Sequence, residues 1–259
     1  MPDDDVVTDY AEGLRVLRRP DIPLETVLET IRKPGEMLKA SRKAETRRVG
    51  DWIVKRSRNE GGLGVLKHTF QRGRYRQGWN AALHLKARGV PVPRPLAFVE
   101  RARVGVILGN VLCTEYLESC VDVEAFADGM IREGVEEAVV QGYLERIAEA
   151  VNLLCSSGAY HNDLAGKNIL TPDGERFYFI DLDGIVLNRP YTDALRLKNH
   201  VQLYDSFIDK WDDSLLVLFI RQMLPEPEDS DDWMDKVRNE QAVRRARTEA
   251  IWRRQGKPV

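Results

Sequence analysis

The chain has 259 residues, 43% hydrophobic and 31% charged, with a formal net charge of −2. That is enough for one large domain or two lobes with a proper core, and the composition is that of an ordinary globular protein, not a disordered or collagenous one. No apolar run reaches the length of a membrane-crossing helix. The acidic residues 1–5 lack the apolar stretch of a signal peptide.

Cys113, Cys120 and Cys155 fall in no metal-ligand spacing and read as free thiols of a reducing cytosol, so a cytoplasmic location is expected. The net charge conceals an asymmetry. Residues 31–103 hold 19 Lys and Arg against 5 Asp and Glu, a balance of +14, and the remainder sums to −16. A basic stretch of that size suits a polyanion: nucleotide phosphates, a phosphorylated glycolipid or an anionic membrane surface. Any one of these cations is equally well explained as a solvated side chain. No nucleic-acid module accompanies them, and no nucleic acid is expected as a partner.

In chain order, residues 1–30 read as a leader with short helical pieces. Residues 36–49 alternate weakly (Met37, Leu38, Ala40, Ala44, Val49) and can hold paired strands. Residues 51–55 read as a strand entered through a Gly50-Asp51 turn. Gly61-Gly62-Leu63-Gly64 reads as a flexible connection. Over 74–88, Tyr75, Trp79 and Leu83, with Ala82 and Leu85 one face over, predict an amphipathic helix stopped by Gly89. The prolines of residues 90–95 force an extended segment, and 96–99 and 104–115 read as strands of a hairpin. Beyond Tyr116 the pattern turns helical, with helices predicted over 142–156, 195–208 and 214–224. Residues 225–232 form an acidic, proline-containing linker, and 233–254 a long helix with a basic end.

Strands first and helices after predict an α+β chain of two lobes, a small β-rich one and a larger helical one, with a nucleotide expected in the cleft between them. The expected bounds are a leader over 1–35, an N-lobe over 36–113, a hinge over 114–118, a C-lobe over 119–225, and the linker with its helix over 226–259.

The richest stretch is His161-Asn162-Asp163-Leu164-Ala165-Gly166-Lys167-Asn168-Ile169-Leu170, followed by Phe179-Ile180-Asp181-Leu182-Asp183-Gly184. It sets an Asp, an Asn five residues on and a second Asp eighteen residues after the first around an apolar run. Kinase-type phosphoryl transfer needs that set: one carboxylate to orient the attacking hydroxyl, and an amide and a second carboxylate for magnesium. Ile169-Leu170 and 177–180 read as strands joined through the Pro172-Asp173-Gly174 turn, a hairpin whose open ends carry Asn168 and Asp181. Two hard oxygen ligands are what magnesium asks of a protein, since it keeps several of its waters. Turn chemistry explains each of these residues singly, but not the set.

On these residues the chain resembles the protein-kinase-like superfamily. With the Asp181-Leu182-Asp183 variant and the segment of residues 85–96, it looks most like the lipopolysaccharide core kinases, bacterial enzymes that phosphorylate heptose or Kdo sugars of the inner core. The resemblance runs from about residue 36 to about residue 208. It implies a bilobal protein-kinase-like fold, ATP and magnesium as cofactors, and transfer of the γ-phosphate to a sugar hydroxyl of the core glycolipid. Carried over, Asp163 is the catalytic carboxylate, and Lys167 a basic residue facing the γ-phosphate. Asn168 and Asp181 are the metal ligands, and Lys55 the lysine on the α/β-phosphates. Glu115 and Leu117, in the hinge, offer backbone groups to the adenine. His161 is expected to support the loop. Asp183 stays open between a metal or substrate contact and a solvated turn carboxylate.

The chain also departs from the pattern. No Gly-x-Gly-x-x-Gly precedes Lys55, so residues 39–44 would have to cover the phosphates. No Asp or Glu occurs between Gly61 and Val99 to pair with Lys55, although Gln77 could hydrogen-bond it. No Ala-Pro-Glu follows Asp183. Two alternatives therefore stay open: a pseudokinase or nucleotide-binding module without turnover, and a kinase of a small cytosolic metabolite or antibiotic. The basic end of the last helix admits peripheral contact with an anionic membrane at the inner face of the inner membrane, against the plainer expectation that the helix docks on the large lobe or extends into solvent.

Overall fold

The computed structural model describes residues 6–41, 44–57, 74–103, 106–225 and 230–255, and the chain divides into two compact units. The first comprises Met1–Glu118 with Asp181–Ile185, the second Ser119–Ile180 with Val186–Val259.

The first unit is built on seven antiparallel strands: β1 (Val7–Ala11), β2 (Leu14–Arg18), β3 (Glu36–Ala40), β4 (Ala44–Val49), β5 (Trp52–Ser57), β6 (Pro95–Arg103) and β7 (Val106–Glu115), in the order β1-β2-β6-β7-β5-β4-β3. Among the described residues it also carries the helices α1 (Leu24–Arg32) and α2 (Arg74–Ala87). Because side chains alternate along a strand, each strand serves both faces of the sheet. Val99, Val111, Cys113 and Val54 join α1 residues Val27, Leu28 and Ile31 in one buried cluster. Phe98 and Leu112, one residue out of phase, join α2 residues Tyr75 and Trp79 in the other. The register then fixes Lys55. Val54 pairs with Cys113 and Lys55 with Leu112, so Lys55 points to the α2 face.

The sequence reading is met at the paired strands of 36–49, the strand through Lys55, the helix ending before Gly89 and the β6–β7 hairpin. It is corrected at the start of the chain. Residues 7–18 are not helical leader. They are two strands joined by a two-residue loop, Glu12-Gly13, with φ of 54° and 73°, as a primed hairpin turn requires. β2 hydrogen-bonds to β6, and its Val16 is fully buried, so this segment is part of the sheet. Five-residue strands carrying Arg15 and Arg18 gave too short an alternation to read. The Gly61–Gly64 connection lies outside the described residues, as do parts of the proposed phosphate cover (42–43) and of the acidic linker (226–229).

The second unit is mainly helical: α3 (Val123–Glu133), α4 (Glu137–Ser156), α5 (Asp193–Phe207), α6 (Asp213–Arg221) and α7 (Ser230–Arg254). A three-stranded sheet accompanies them, β8 (Val121–Asp122), β10 (Ile169–Thr171) and β11 (Tyr178–Phe179), with β9 (Ala159–His161) leading into the motif loop. Asp122 caps α3 by accepting from the Ala125 amide at 2.9 Å, and Gly134 ends it with φ of 64°. The buried stripe of α4 (Tyr143, Leu144, Ile147, Val151, Leu154) forms its core, and the Tyr143 hydroxyl donates to the Val123 carbonyl at 2.9 Å. α7 is docked, not free. Met234 and Val237 are buried, and Arg244 and Arg245 pair with Asp205 and Asp209 of the neighbouring chain stretch. Among the described residues no helix is long and apolar enough to cross a membrane.

Candidate active site

In the second unit, the loop after β9 is held by its own histidine. The Asp163 amide donates to Nδ1 of His161 at 3.1 Å, so that nitrogen is unprotonated, and Nε2 carries the hydrogen toward the Ile180 carbonyl at 2.9 Å. His161 is completely buried. It has the supporting place expected of it, tying the loop to β11.

Asn168 is buried, and its amide nitrogen donates both to the Asp163 carbonyl (2.8 Å) and to Asp163 Oδ2 (3.2 Å). With both hydrogens so used, the amide presents its oxygen, the atom a hard cation takes, on the opposite side. The Asp163 carboxylate is 42% exposed, within reach of a substrate. The Lys167 ammonium stands 3.8 Å from its Oδ2 and is 61% exposed. A side chain at Gly166 would run into Val123 and Glu124, so the tight approach of this loop to α3 needs glycine. β10 and β11 pair as expected, Ile169 with Phe179, and the Ile180 amide donates to the Asn168 carbonyl at 3.0 Å. Asp181 is the next residue in the chain.

In the first unit, Asp181 sits in the left-handed region (φ 57°, ψ 43°), a conformation Asp tolerates better than bulkier residues. It opens the short turn Leu182–Gly184. Lys55 Nζ bonds to Oδ1 of Asp181 and to Oδ1 of Asp183. The other Asp183 oxygen takes the Nε of Arg74, from the first turn of α2. Burial works against the Lys55 charge, but the two carboxylates outweigh it and hold the ammonium above its ordinary range. Burial likewise works against the Asp181 charge, and the Lys55 ion pair overrides it, holding that carboxyl well below the usual carboxylate range.

Of the readings left open for Asp183, the solvated turn carboxylate is excluded, because its side chain is 2% exposed. Gln77 does not bond Lys55, because its amide donates to the Ile185 carbonyl.

At the expected hinge, the Glu115 amide donates to the Arg94 carbonyl at 2.9 Å, and its carboxylate accepts from the Arg94 amide at 2.7 Å. Arg48 stacks over the Tyr116 ring at 3.8 Å, and Leu117 is half-buried. Sequence reasoning missed Arg74, and also Asn199, Gln202 and Ser206, which line one face of α5 and bond to the motif loop. Their signal was legible in principle: three polar residues at i, i+3 and i+7 on the buried side of a helix.

Taken singly, the Asn168 carboxamide oxygen and the partly exposed Asp181 carboxylate are hard donors of the kind magnesium accepts. Among the described residues no group of three or more His, Cys, Asp or Glu side chains is placed to hold a metal ion.

Comparison with known proteins gives three findings. Residues 32–215 match the Lipopolysaccharide kinase (Kdo/WaaP) family. Among solved structures the chain resembles "WaaP in complex with acyl carrier protein", at 21% identity and a TM-score of 0.66, covering 86% of this chain and 92% of that one. It also resembles the crystal structure of WbdD, at 17% identity and a TM-score of 0.51, covering 81% of this chain and 51% of that one. Compared by sequence with curated proteins, the chain has no match. The fold is therefore the protein-kinase-like one.

Proposed function

Because the chain belongs to the lipopolysaccharide kinase (Kdo/WaaP) family, we propose that it transfers the γ-phosphoryl group of ATP to a sugar hydroxyl of the lipopolysaccharide inner core. It is a kinase, hence a phosphotransferase, by family. The acceptor, ATP and magnesium are the proposal. The observation that carries it is the Asp163 carboxylate, reachable from solvent and fixed by the Asn168 amide at 3.2 Å.

In this reading Asp163 accepts the proton of the attacking hydroxyl. The sugar oxygen bonds to the γ-phosphorus as the bond to the ADP oxygen breaks. Positioned proton transfer of this kind is worth roughly 10²–10⁴ in rate. Lys167 supplies positive charge near the transferring group, and Lys55 at the α/β-phosphates. Asn168, through Oδ1, and Asp181 would hold a magnesium ion, which when bound would supply positive charge to neutralise the phosphates. Glu115, whose amide is already donated to Arg94, meets the adenine with its carbonyl, and Leu117 with its amide. This reading puts the protein in the cytoplasm, in peripheral contact with the inner face of the inner membrane.

The test is transfer from ATP to extracted core glycolipid. Asp163→Ala and Asp181→Ala should each abolish it while leaving thermal unfolding near that of the unaltered protein. Mass spectrometry of the glycolipid from cells lacking the protein should show one phosphate missing. Undiminished transfer by Asp163→Ala sinks the assignment. Turnover on a small metabolite but not on the glycolipid moves the acceptor, and nucleotide binding without any turnover supports a pseudokinase.

A further inference from the structure

Protein kinases hold the strand lysine with a glutamate on the following helix. Helix α2 has no acidic residue in its first turn, where it carries Arg74 instead. We propose, resting on the kinase reading above, that Asp183 is the partner that positions Lys55, and that α2 acts on the lysine only by anchoring Asp183 through Arg74.

The charges are arranged for that division of work. Asp183 is buried, and each of its oxygens takes one cation: Oδ1 takes Lys55 and Oδ2 takes Arg74. A carboxylate withdrawn from water to that extent needs such partners. Asp181 also holds Lys55, but it is 31% exposed and is the residue proposed for the metal. One carboxylate cannot serve a divalent cation and the lysine with the same oxygen. Asp183 lies below the surface and keeps the lysine when Asp181 is engaged. Lysine partner and metal ligand thus sit two residues apart on one turn, so placing one places the other.

The helix grips this turn along a single face. Arg74, Gln77 and Gly78 stand at i, i+3 and i+4. Gln77 bonds to the Ile185 carbonyl, and a Cβ on Gly78 would lie 3.1 Å from the Asp183 amide nitrogen. The polarity of the usual pair is therefore reversed: the helix contributes the cation and the motif turn the anion. A swing of α2 is not needed to create the lysine's ion pair.

The test measures ADP affinity by calorimetry, with and without magnesium, and steady-state KM and kcat for ATP. Asp183→Asn keeps the shape and removes the charge. It should weaken ADP binding and raise KM by about tenfold or more, as expected for losing a hydrogen bond between charged groups, with a smaller effect on kcat. Arg74→Ala should do the same to a lesser degree, and Arg74→Lys less again. Arg74→Ala should add little on top of Asp183→Asn, since both act through one contact. Thermal unfolding confirms that each variant is folded.

Unchanged affinity and KM in a folded Asp183→Asn overturn the proposal while leaving the kinase reading intact. Additive losses overturn it too, because Arg74 would then touch the nucleotide itself. If the unaltered protein binds no nucleotide, the kinase reading fails and this proposal with it.

Discussion

The side-chain amide of Gln202 donates to Oδ1 of Asp163 across 3.1 Å, while its own oxygen accepts from the Leu164 amide at 3.0 Å. One buried α5 residue therefore fixes both the carboxylate proposed for catalysis and the backbone that follows it. Asn199 holds the same loop through the His161 carbonyl at 2.8 Å, and Ser206 through the Gly166 amide at 2.9 Å. Gln202→Leu conserves volume but leaves the Leu164 amide buried without its acceptor. We expect a stability loss of about 1–3 kcal/mol and a fall in kcat of about tenfold or more from the misplaced carboxylate, with KM for ATP little changed. Steady-state kinetics and urea unfolding read the two effects separately. A fall in stability with kcat intact would make Gln202 a purely structural residue.

Gly78 reverses an ordinary expectation. Replacing a helical glycine by alanine usually gains up to about 1 kcal/mol. Here the added methyl would stand 3.1 Å from both the Asp183 amide nitrogen and a Leu112 methyl, tighter than most packed Cβ atoms stand, so the turn or the leucine must give way. Gly78→Val, larger still, should push α2 off the 182–184 turn. The expected outcome is a lower unfolding temperature together with a raised KM for ATP. A variant as stable as the parent would show that the helix and turn have room to give.

Helix α7 tests whether apolar burial or surface ion pairs hold it in place. Val237 is fully buried, whereas Arg245 pairs with Asp205 and Asp209 at 2.7 Å on a half-exposed face. Exposed ion pairs are worth about 0–1 kcal/mol, and removing the branch of a buried valine costs roughly 1–3 kcal/mol once the cavity is included. Val237→Ala should therefore destabilise more than Arg245→Ala in urea titrations, and only the arginine variant should lose its effect in high salt. The reverse order would mean that the helix is held electrostatically.

What the sequence reading picked out and what it missed depend on how local each signal is. Asp163, Asn168 and Asp181 stood out as candidates because kinase-type phosphoryl transfer asks for residue type and spacing together, here within nineteen positions, and Lys55 because it ends an apolar strand; their roles are the proposal above. The α2 helix and the β6–β7 hairpin were legible because their apolar residues repeat over nine or more positions. β1 and β2 were not, since each is only five residues long. Arg74 was invisible for another reason: it matters through Asp183, a partner 109 residues away, and nothing local marks such a pair. Gln202 left only the faint local mark of a polar stripe on a helix, and that stripe does not say which partner 39 residues away it meets. Asp183 was left undecided because burial depends on what packs over it, and the backbone of α2 at Gly78 does so.

The indole of Trp233 donates to Nδ1 of His200 at 2.9 Å, and since an indole nitrogen only donates, that Nδ1 carries no proton. His200 is 1% exposed, and burial, with the Arg196 charge adding to it, presses its pKa down to about 3 from 6.5. The sign of the linkage follows. Above the unfolded value neither state binds a proton there, and the contribution is complete. As the pH falls below about 6.5 the unfolded chain takes up a proton that the folded protein refuses, so stability is lost progressively toward pH 3. At pH 5 the loss from this residue should be about 2 kcal/mol, from some 1.5 pH units at 1.36 kcal/mol each. His200→Gln keeps an acceptor for Trp233 and does not titrate. Urea unfolding at pH 7 and pH 5 should show a smaller drop for the variant than for the unaltered protein. Equal drops would mean that His200 takes up its proton in the folded state as readily as in the unfolded one.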